Sequence, residues 1–485
     1  MLRRLTLLTA MVPALAVPVT TGAALADVRM PGTYRLSGPS PFANCAPGSG
    51  DAGKAAGAIE PVLAADPSDP RRIAAVWPQD HQRGAVIAVT RDRGGTWKRS
   101  VVPGMTRCSG GVGEYVDETT VTYTRDGALV VTGAVQMADG ASAGLSVRST
   151  DGGRTWSRPT VIVQETNPDN GGVLTTSVAA HPRDQRVLYA VTLRFPRDER
   201  TTNQVLLSRS IDGGRSWQPP RLLLDAGERR LASGHRLSVL DDGTLLNLYT
   251  LVHLRDGARH LTVQAVRSTD GGATWSPPHQ VAEQRTKWFI QDPETGDHVS
   301  HTTSLLSDTA IDRRGRGPDR VYAVWQDARF TAGAADGVAM ASSDDGGRTW
   351  TEPVKVNRTP ATIPTPNQQT FTVSVETGRD GTVAVAYSDF RHNDTGTPLL
   401  TDRWLALCSP QPRSCAEPAA KWRETRLTPA SFDMRQAPRI PDATSERGFF
   451  LGEQMGLVAN GRGFTTTWAT PDVPGRAAAY ATNRR

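Results

Sequence analysis

Apolar positions along this chain fall in short runs, and no segment carries the 3.6-residue period of an amphipathic helix. In residues 59–103, "AIEPVLAADP" reads as a short strand and a turn. "RRIAAVWPQ" and "GAVIAVTRD" read as two strands, and "WKRSVVP" as another. The runs are β-branched and bounded by Gly, Pro and Asp, as strands are. The second run of this set recurs as "IAAVWPQ" (73–79), "ALVVTGAVQ" (128–136), "VLYAVTLRF" (187–195), "TLLNLYTLV" (244–252), "RVYAVWQDA" (320–328), "TVAVAYSDF" (382–390) and "GFTTTWATP" (463–471). A polar phrase punctuates the same period: "TRDRGGTW" (90–97), "STDGGRTW" (149–156), "SIDGGRSW" (210–217), "STDGGATW" (268–275) and "SDDGGRTW" (343–350).

Measured from Trp to Trp, the five phrases lie 59, 61, 58 and 75 residues apart. A period of that length means stacked or radially arranged units. Four short strands per unit, repeated around a ring, make a β-propeller. The fold expected is all-β: a single seven-bladed β-propeller spanning residues 27–485, with six blades as the alternative. Two blades lack the phrase. In the sixth, "CSPQPRSC" stands in its place, with Trp422 where the phrase's Trp would be. In the seventh, the chain ends on the third strand, and "GTYRLSG" (32–38) is left over to supply the fourth and close the ring. The phrase itself reads as a hairpin turn. Gly152 and Gly153 permit positive φ. The Asp151 carboxylate accepts backbone N–H groups, and Trp156 packs between blades. A calcium-loop reading fails on the missing terminal Glu of an EF-hand loop. The phrase is therefore expected to be scaffold, and the chemistry to sit elsewhere.

At 485 residues, 38% hydrophobic and 21% charged, the chain is globular. The N-terminus, "MLRRLTLLTAMVPALAVPVTTGAALADV", has two Arg, an apolar run from Leu5 and a small-residue cleavage site before Asp27. Residues 1–26 read as a secretory signal peptide and the protein as secreted. Pro13 and Pro18 break the run, so no membrane anchor is expected. Four Cys suit an oxidising compartment. Cys408 and Cys415 are close enough to pair locally, which leaves Cys45 with Cys108. The zinc alternative lacks a Cys-x-x-Cys pair. The net charge of +6 is carried by Arg without a basic cluster, so no nucleic-acid partner is expected. No cofactor or metal is expected, since the histidines are scattered, and the protein is expected to be a monomer.

The repeated phrase resembles the Asp-box of bacterial neuraminidase repeats. Together with "IEPVLAADP", "TRCSGG", "LLNLYTL", "VWQDARF", "YSDFRHNDT", "LLTDRWL" and "FFLGEQMGL", it makes the chain similar to secreted bacterial Asp-box proteins of the sialidase superfamily, usually labelled exo-α-sialidase-like or glycosyl-hydrolase-like. The resemblance implies a propeller and a carbohydrate-related role. It also implies an arginine triad for a substrate carboxylate, because each guanidinium presents a planar donor fork. One arm departs from the pattern: "AIEP" has Ile59 where Arg is required, and Arg35 lies too far upstream. Asp80 of "VWPQD" matches the acid/base Asp of that family, and Tyr387 of "AYSDF" is the position considered for its nucleophilic Tyr.

Propeller loops opposite the Asp-box turns carry function. Those after the second strands are rich in Asp and Arg: "QDHQR" (79–83), "RFPRDER" (194–200), "QDAR" (326–329) and "SDFRHND" (388–394). The inter-blade loop "CSGGVGEYVDE" (108–118) adds Glu114, Asp117 and Glu118, and "FIQDPETGDHVSH" (289–301) adds His298 and His301. Glycoside hydrolysis needs two carboxylates flanking the bond. Asp80, Asp327 and Asp389 are the catalytic candidates. Arg329, Arg391, Arg194, Glu114 and Asp117 are the substrate-binding candidates, with all of these converging on the central mouth. The plainer alternative is that Asp327/Arg329 and Asp389/Arg391 are ion pairs locking loops. The leading reading is a glycosidase acting on a carbohydrate, in particular an acidic sugar. A non-catalytic extracellular glycan- or protein-binding propeller is the alternative, and a uronate lyase a third.

Overall fold

The second and third strands of the repeat are buried along most of their length because both of their faces are covered. Ile73–Gln79, Gly84–Thr90, Gly337–Ser343 and Val383–Asp389 are buried at every position. A sheet with a neighbour on each face has no solvent side, so the alternation expected of a half-exposed strand disappears. In the computed structural model, which describes residues 32–46, 55–196, 202–286, 288–296, 298–300, 305–313, 318–394, 396, 398–409, 414–440 and 448–484, the strands form seven antiparallel sheets, each built on a path of four strands, and a two-stranded ribbon. Blade 1 is Val62–Ala65, Ile73–Gln79, Gly84–Thr90 and Lys98–Val101. The other six follow in order, and blade 6 gains a short fifth strand, Phe432–Asp433. The innermost strands of neighbouring blades touch all round, including blade 7 against blade 1.

The ring closes as the leftover N-terminal segment predicts. Thr33–Arg35 pairs antiparallel with Arg476–Arg484, with Thr33 opposite Thr482 and Arg35 opposite Tyr480. Closure removes the open edge that would otherwise invite pairing with another chain. Both expected disulfides are present, Cys45–Cys108 and Cys408–Cys415. The first ties the N-terminal segment to the connection between blades 1 and 2.

The Asp-box is the third-to-fourth-strand turn. Asp151 Oδ1 accepts the backbone N–H of Arg154 at 2.9 Å and of Thr155 at 3.0 Å, and Oδ2 accepts the Thr155 hydroxyl at 2.6 Å. Ser149 Oγ accepts from Gly153 N at 2.8 Å. Gly152 and Gly153 have φ of +79° and +82°. The Trp of each box lies in the seam with the preceding blade. Trp156 packs on the core shared by blades 1 and 2, Trp275 on blades 3 and 4, Trp350 on blades 4 and 5, and Trp97 on blades 7 and 1. Trp217 reaches back to donate to Ser146 of blade 2 at 2.8 Å. Trp422 fills the same place between blades 5 and 6, beside the Cys408–Cys415 bridge.

Candidate functional site

Asp80, Asp327, Arg329, Asp389 and Arg391 are not among the residues that line the cavity at the mouth. Asp327 pairs with Arg329, and Asp389 with Arg391, beside the ends of their own strands. The cause is local: an aromatic residue and an acceptor two positions later share one face of a strand. Trp77 donates its indole N–H to Gln79 at 2.9 Å, and Trp325 donates to Asp327 at 2.8 Å. Asp327 is fully buried, caps the short 3₁₀ turn that follows by accepting Arg329 N at 2.9 Å, and holds Arg329 Nη2 at 2.9 Å. Arg329 also donates to the Glu283 carbonyl of blade 4. Asp389, likewise fully buried, takes Arg391 Nε at 2.6 Å, Thr359 Oγ1 at 2.7 Å and Trp404 Nε1 at 2.9 Å. Arg391 stacks 3.8 Å over Trp404 and donates to Tyr387 Oη at 2.7 Å and to Glu424 Oε2 at 2.9 Å. Glu424 belongs to the outermost strand of blade 6, Arg423–Arg426, so this network lies away from the centre. Tyr387 is fully buried, its hydroxyl bonded to Glu424, and burial pushes its phenol well above the ordinary range. It does not serve as an accessible nucleophile.

Of the other predicted residues, Glu114 pairs with Arg107 at 3.3 Å. Arg194 lies between Leu193 and Phe195, which face the central cavity while Arg194 does not line it. Asp80 caps the end of its strand at φ +49°. Its Oδ1 accepts Gln79 Nε2 at 3.0 Å, and its Oδ2 is buried without a hydrogen-bond partner. Asp117 and Glu118 are not in an inter-blade loop. They lie within the innermost strand of blade 2, Tyr115–Tyr123, where the register slips between Asp117 and Thr120. His301 lies outside the described residues.

That slip is one of four. The innermost strands of blades 2, 3, 4 and 6 each bulge, at Asp117/Thr120, Thr175/Ser177, Ser233/Arg236 and Phe371/Ser374. A bulge re-aims the side chains beside it. Above the first three opens a cavity of about 470 Å³ at the mouth of the ring. It is walled by Phe195, Trp288, Phe289 and Phe450 and floored by four carboxyls, Glu60, Asp117, Glu118 and Glu453. Arg236 is the one cation among its lining residues. Glu60 and Glu118 both take left-handed backbone, at φ +52° and +48°. For residues other than Gly that is uncommon, and such strain collects at working sites.

The carboxyls are positioned by short polar links. Gln82 Nε2 donates to Asp117 Oδ1 at 2.6 Å, which also accepts Glu118 N at 3.0 Å. Glu453 N donates to Glu60 Oε1 at 2.7 Å. Gln454 donates to Glu118 Oε2 at 3.1 Å and accepts Arg236 Nη2 at 2.8 Å, while Arg236 Nε faces Asp308 at 3.3 Å. Glu118 keeps some surface open to the cavity but is surrounded on all sides. Burial, then the charges of Glu60, Asp117 and Glu453, drive its pKa well above the carboxylate range, against the pull of Arg236. His235, at the blade 4 bulge, stacks on Tyr249 with centroids 5.1 Å apart, and burial lowers its pKa to about 4, leaving it neutral. No three His, Cys, Asp or Glu among the described residues are placed to hold a metal ion. Ile59 is buried in an apolar cluster, so the position that departs from the arginine pattern contributes no charge here.

Glu60 and Glu453 were legible only as letters within "IEPVLAADP" and "FFLGEQMGL". They lie at opposite ends of the chain, 393 residues apart, and meet because blade 7 closes on blade 1.

Among known protein families, the BNR/Asp-box repeat matches residues 147–158, the box of blade 2. Solved structures share the architecture. An ulvan lyase, described as a new family of polysaccharide lyase and bound to a GlcA(1-4)Rha3S unit, aligns with a TM-score of 0.50 and 12% identity over 89% of this chain and 95% of its own. A Hadza microbial sialidase aligns at 0.46 and 16% identity over 86% and 74%. An α-L-arabinanase of Penicillium chrysogenum complexed with arabinobiose aligns at 0.42 and 16% identity over 68% and 93%. At 12% identity the likeness to the ulvan lyase is one of fold.

Proposed function

We propose that this protein is a secreted, carbohydrate-active propeller that hydrolyses a glycosidic bond in the mouth cavity. Glu118 is the proton donor, and a carboxyl of the Glu60/Asp117/Glu453 group is its partner. The observation that carries this is four carboxyls gathered in one cavity with an aromatic wall, among them Glu118, whose pKa burial and its acidic neighbours raise. Two carboxyls in different protonation states are what glycoside cleavage requires, and aromatic faces suit the apolar faces of sugar rings. The balance of charge, four carboxyls against an Arg236 already engaged by Asp308 and Gln454, supports a neutral sugar over an acidic one. It thereby argues against sialidase activity itself. Asp327, Arg329, Asp389 and Arg391 belong on this reading to the scaffold. Asp80, with an unengaged carboxylate oxygen near Gln82, remains a second position to test. Two disulfides support an oxidising location, in keeping with residues 1–26 as an export signal and residues 27–485 as one propeller domain.

The test is a screen of the mature protein against neutral and acidic glycosides, monitoring released sugar and unsaturated product. Glu118→Gln should lower kcat on the responsive substrate by about 10²–10⁴-fold, with affinity within a few-fold. No turnover on any glycoside would leave the non-catalytic binding propeller, the reading that the missing arginine at Ile59 favours.

A further inference from the structure

We infer that the seam between blades 6 and 7 is a second binding site, for an acidic polysaccharide carrying sulfate or carboxylate groups, on the face opposite the mouth. Every other seam is filled at its Asp-box end by a tryptophan from the turn of the later blade. Blade 7 has no such turn, because its third and fourth strands are the two ends of the chain. Its seam with blade 6 is packed only by smaller side chains, among them Ala384, Leu405, Leu427, Leu457 and Phe464. A cleft of about 610 Å³ opens where the tryptophan would be.

The residues around that cleft are basic. Arg379 comes from the first-to-second-strand turn of blade 6, Arg462 from the corresponding turn of blade 7, and Lys421 and Arg423 from the start of the outer strand of blade 6. All four are exposed, and none makes a side-chain hydrogen bond or ion pair among the described residues. The one carboxylate in the lining, Asp380, is turned back onto Thr382, accepting its N–H and its hydroxyl, each at 3.0 Å. Cations on both walls, with a narrow apolar floor of Leu407, Ala459 and Phe464, suit a chain of charged sugar rings lying along the seam. Single-stranded nucleic acid would stack its bases on open aromatic faces, and the cleft's aromatic, Phe464, is buried in the seam at 3% exposure.

The experiment measures binding by titration calorimetry at two salt concentrations. The probes are dextran sulfate, oligogalacturonate, unmodified dextran and single-stranded DNA. Dextran sulfate, oligogalacturonate or both should bind with affinity that falls as salt rises, and dextran should not; which anion binds identifies the charged group. Removing each cation should weaken binding on the order of threefold to tenfold, so Arg379→Ala combined with Arg462→Ala should lose tenfold or more at an unchanged melting temperature. Glu118→Gln should bind as the wild type does, and the double variant should cleave small glycosides normally, which separates this site from the mouth. The inference is overturned if neither charged polysaccharide binds, if the double variant binds them undiminished, or if DNA binds as tightly and loses as much in that variant.

Discussion

Glu376→Gln should make the protein more stable at pH 8 and leave it unchanged at pH 4. Glu376 lies on the innermost strand of blade 6 and lines the central channel, a space of about 330 Å³. Its carboxyl accepts the N–H of Thr377 at 2.8 Å. Burial, reinforced by the charge of Asp308 and opposed by Thr377 and Arg313, raises its pKa from the ordinary 4.5 to about 7. A carboxyl with a raised folded-state pKa adds stability below the unfolded value, and that stability is lost as pH rises through the folded value. The window is therefore pH 4.5 to 7. Moving a carboxyl from 4.5 to 7 corresponds to about 3 kcal/mol, and water in the channel brings the expected figure to about 1–3 kcal/mol. Gln mimics the protonated acid and can keep the bond to Thr377. For a chain of this length, 1–3 kcal/mol is about 1–3 °C in Tm. Thermal melts of both proteins at pH 4, 5, 6, 7 and 8, at constant ionic strength, should give coincident Tm values at pH 4 and a gap that opens towards pH 8. A variant that melts with or below the wild type at pH 8 would refute the account of a buried, proton-holding Glu376.

Arg391→Ala should destabilise by about 3–5 kcal/mol, because it leaves buried Asp389 and the Glu424 carboxylate without their shared cation; equilibrium denaturation measures this, and a loss of ligand affinity in fully folded protein would return Arg391 to the binding site. Asp151→Ala should lower Tm by a few degrees through the lost turn bonds and leave specific activity intact, as melts and assays of the folded fraction will report. Deleting residues 27–38 removes the strand that closes blade 7 and should yield aggregating protein, seen by size-exclusion chromatography. Cys45→Ser with Cys108→Ser should cost about 2–4 kcal/mol without altering the fold, measured by denaturation under non-reducing conditions.

What the sequence determined by itself is the repeat and everything local to it. The period gave seven blades, because each second strand must be apolar throughout when both faces are covered. Asp151, Gly152 and Gly153 gave the turn, because its bonds close within five residues. The spare segment at 32–38 and the two cysteine pairs followed from what the repeat left over. The pairing of Asp327 with Arg329 and of Asp389 with Arg391 was legible as the plainer alternative, since acid and base stand two residues apart.

Only the tertiary structure decided where the carboxyls of the mouth gather. Strand ends that point the same way along the axis still differ in radius, and linear order does not report radius. The Asp389 network lies out toward the Glu424 strand, whereas the bulges sit on the strands nearest the axis. A bulge is a slip between two strands, set by their pairing and invisible in either strand alone. The raised pKa of Glu118 follows in part from the same fact: after burial it depends on Glu60 and Glu453, which reach it only when blade 7 closes on blade 1.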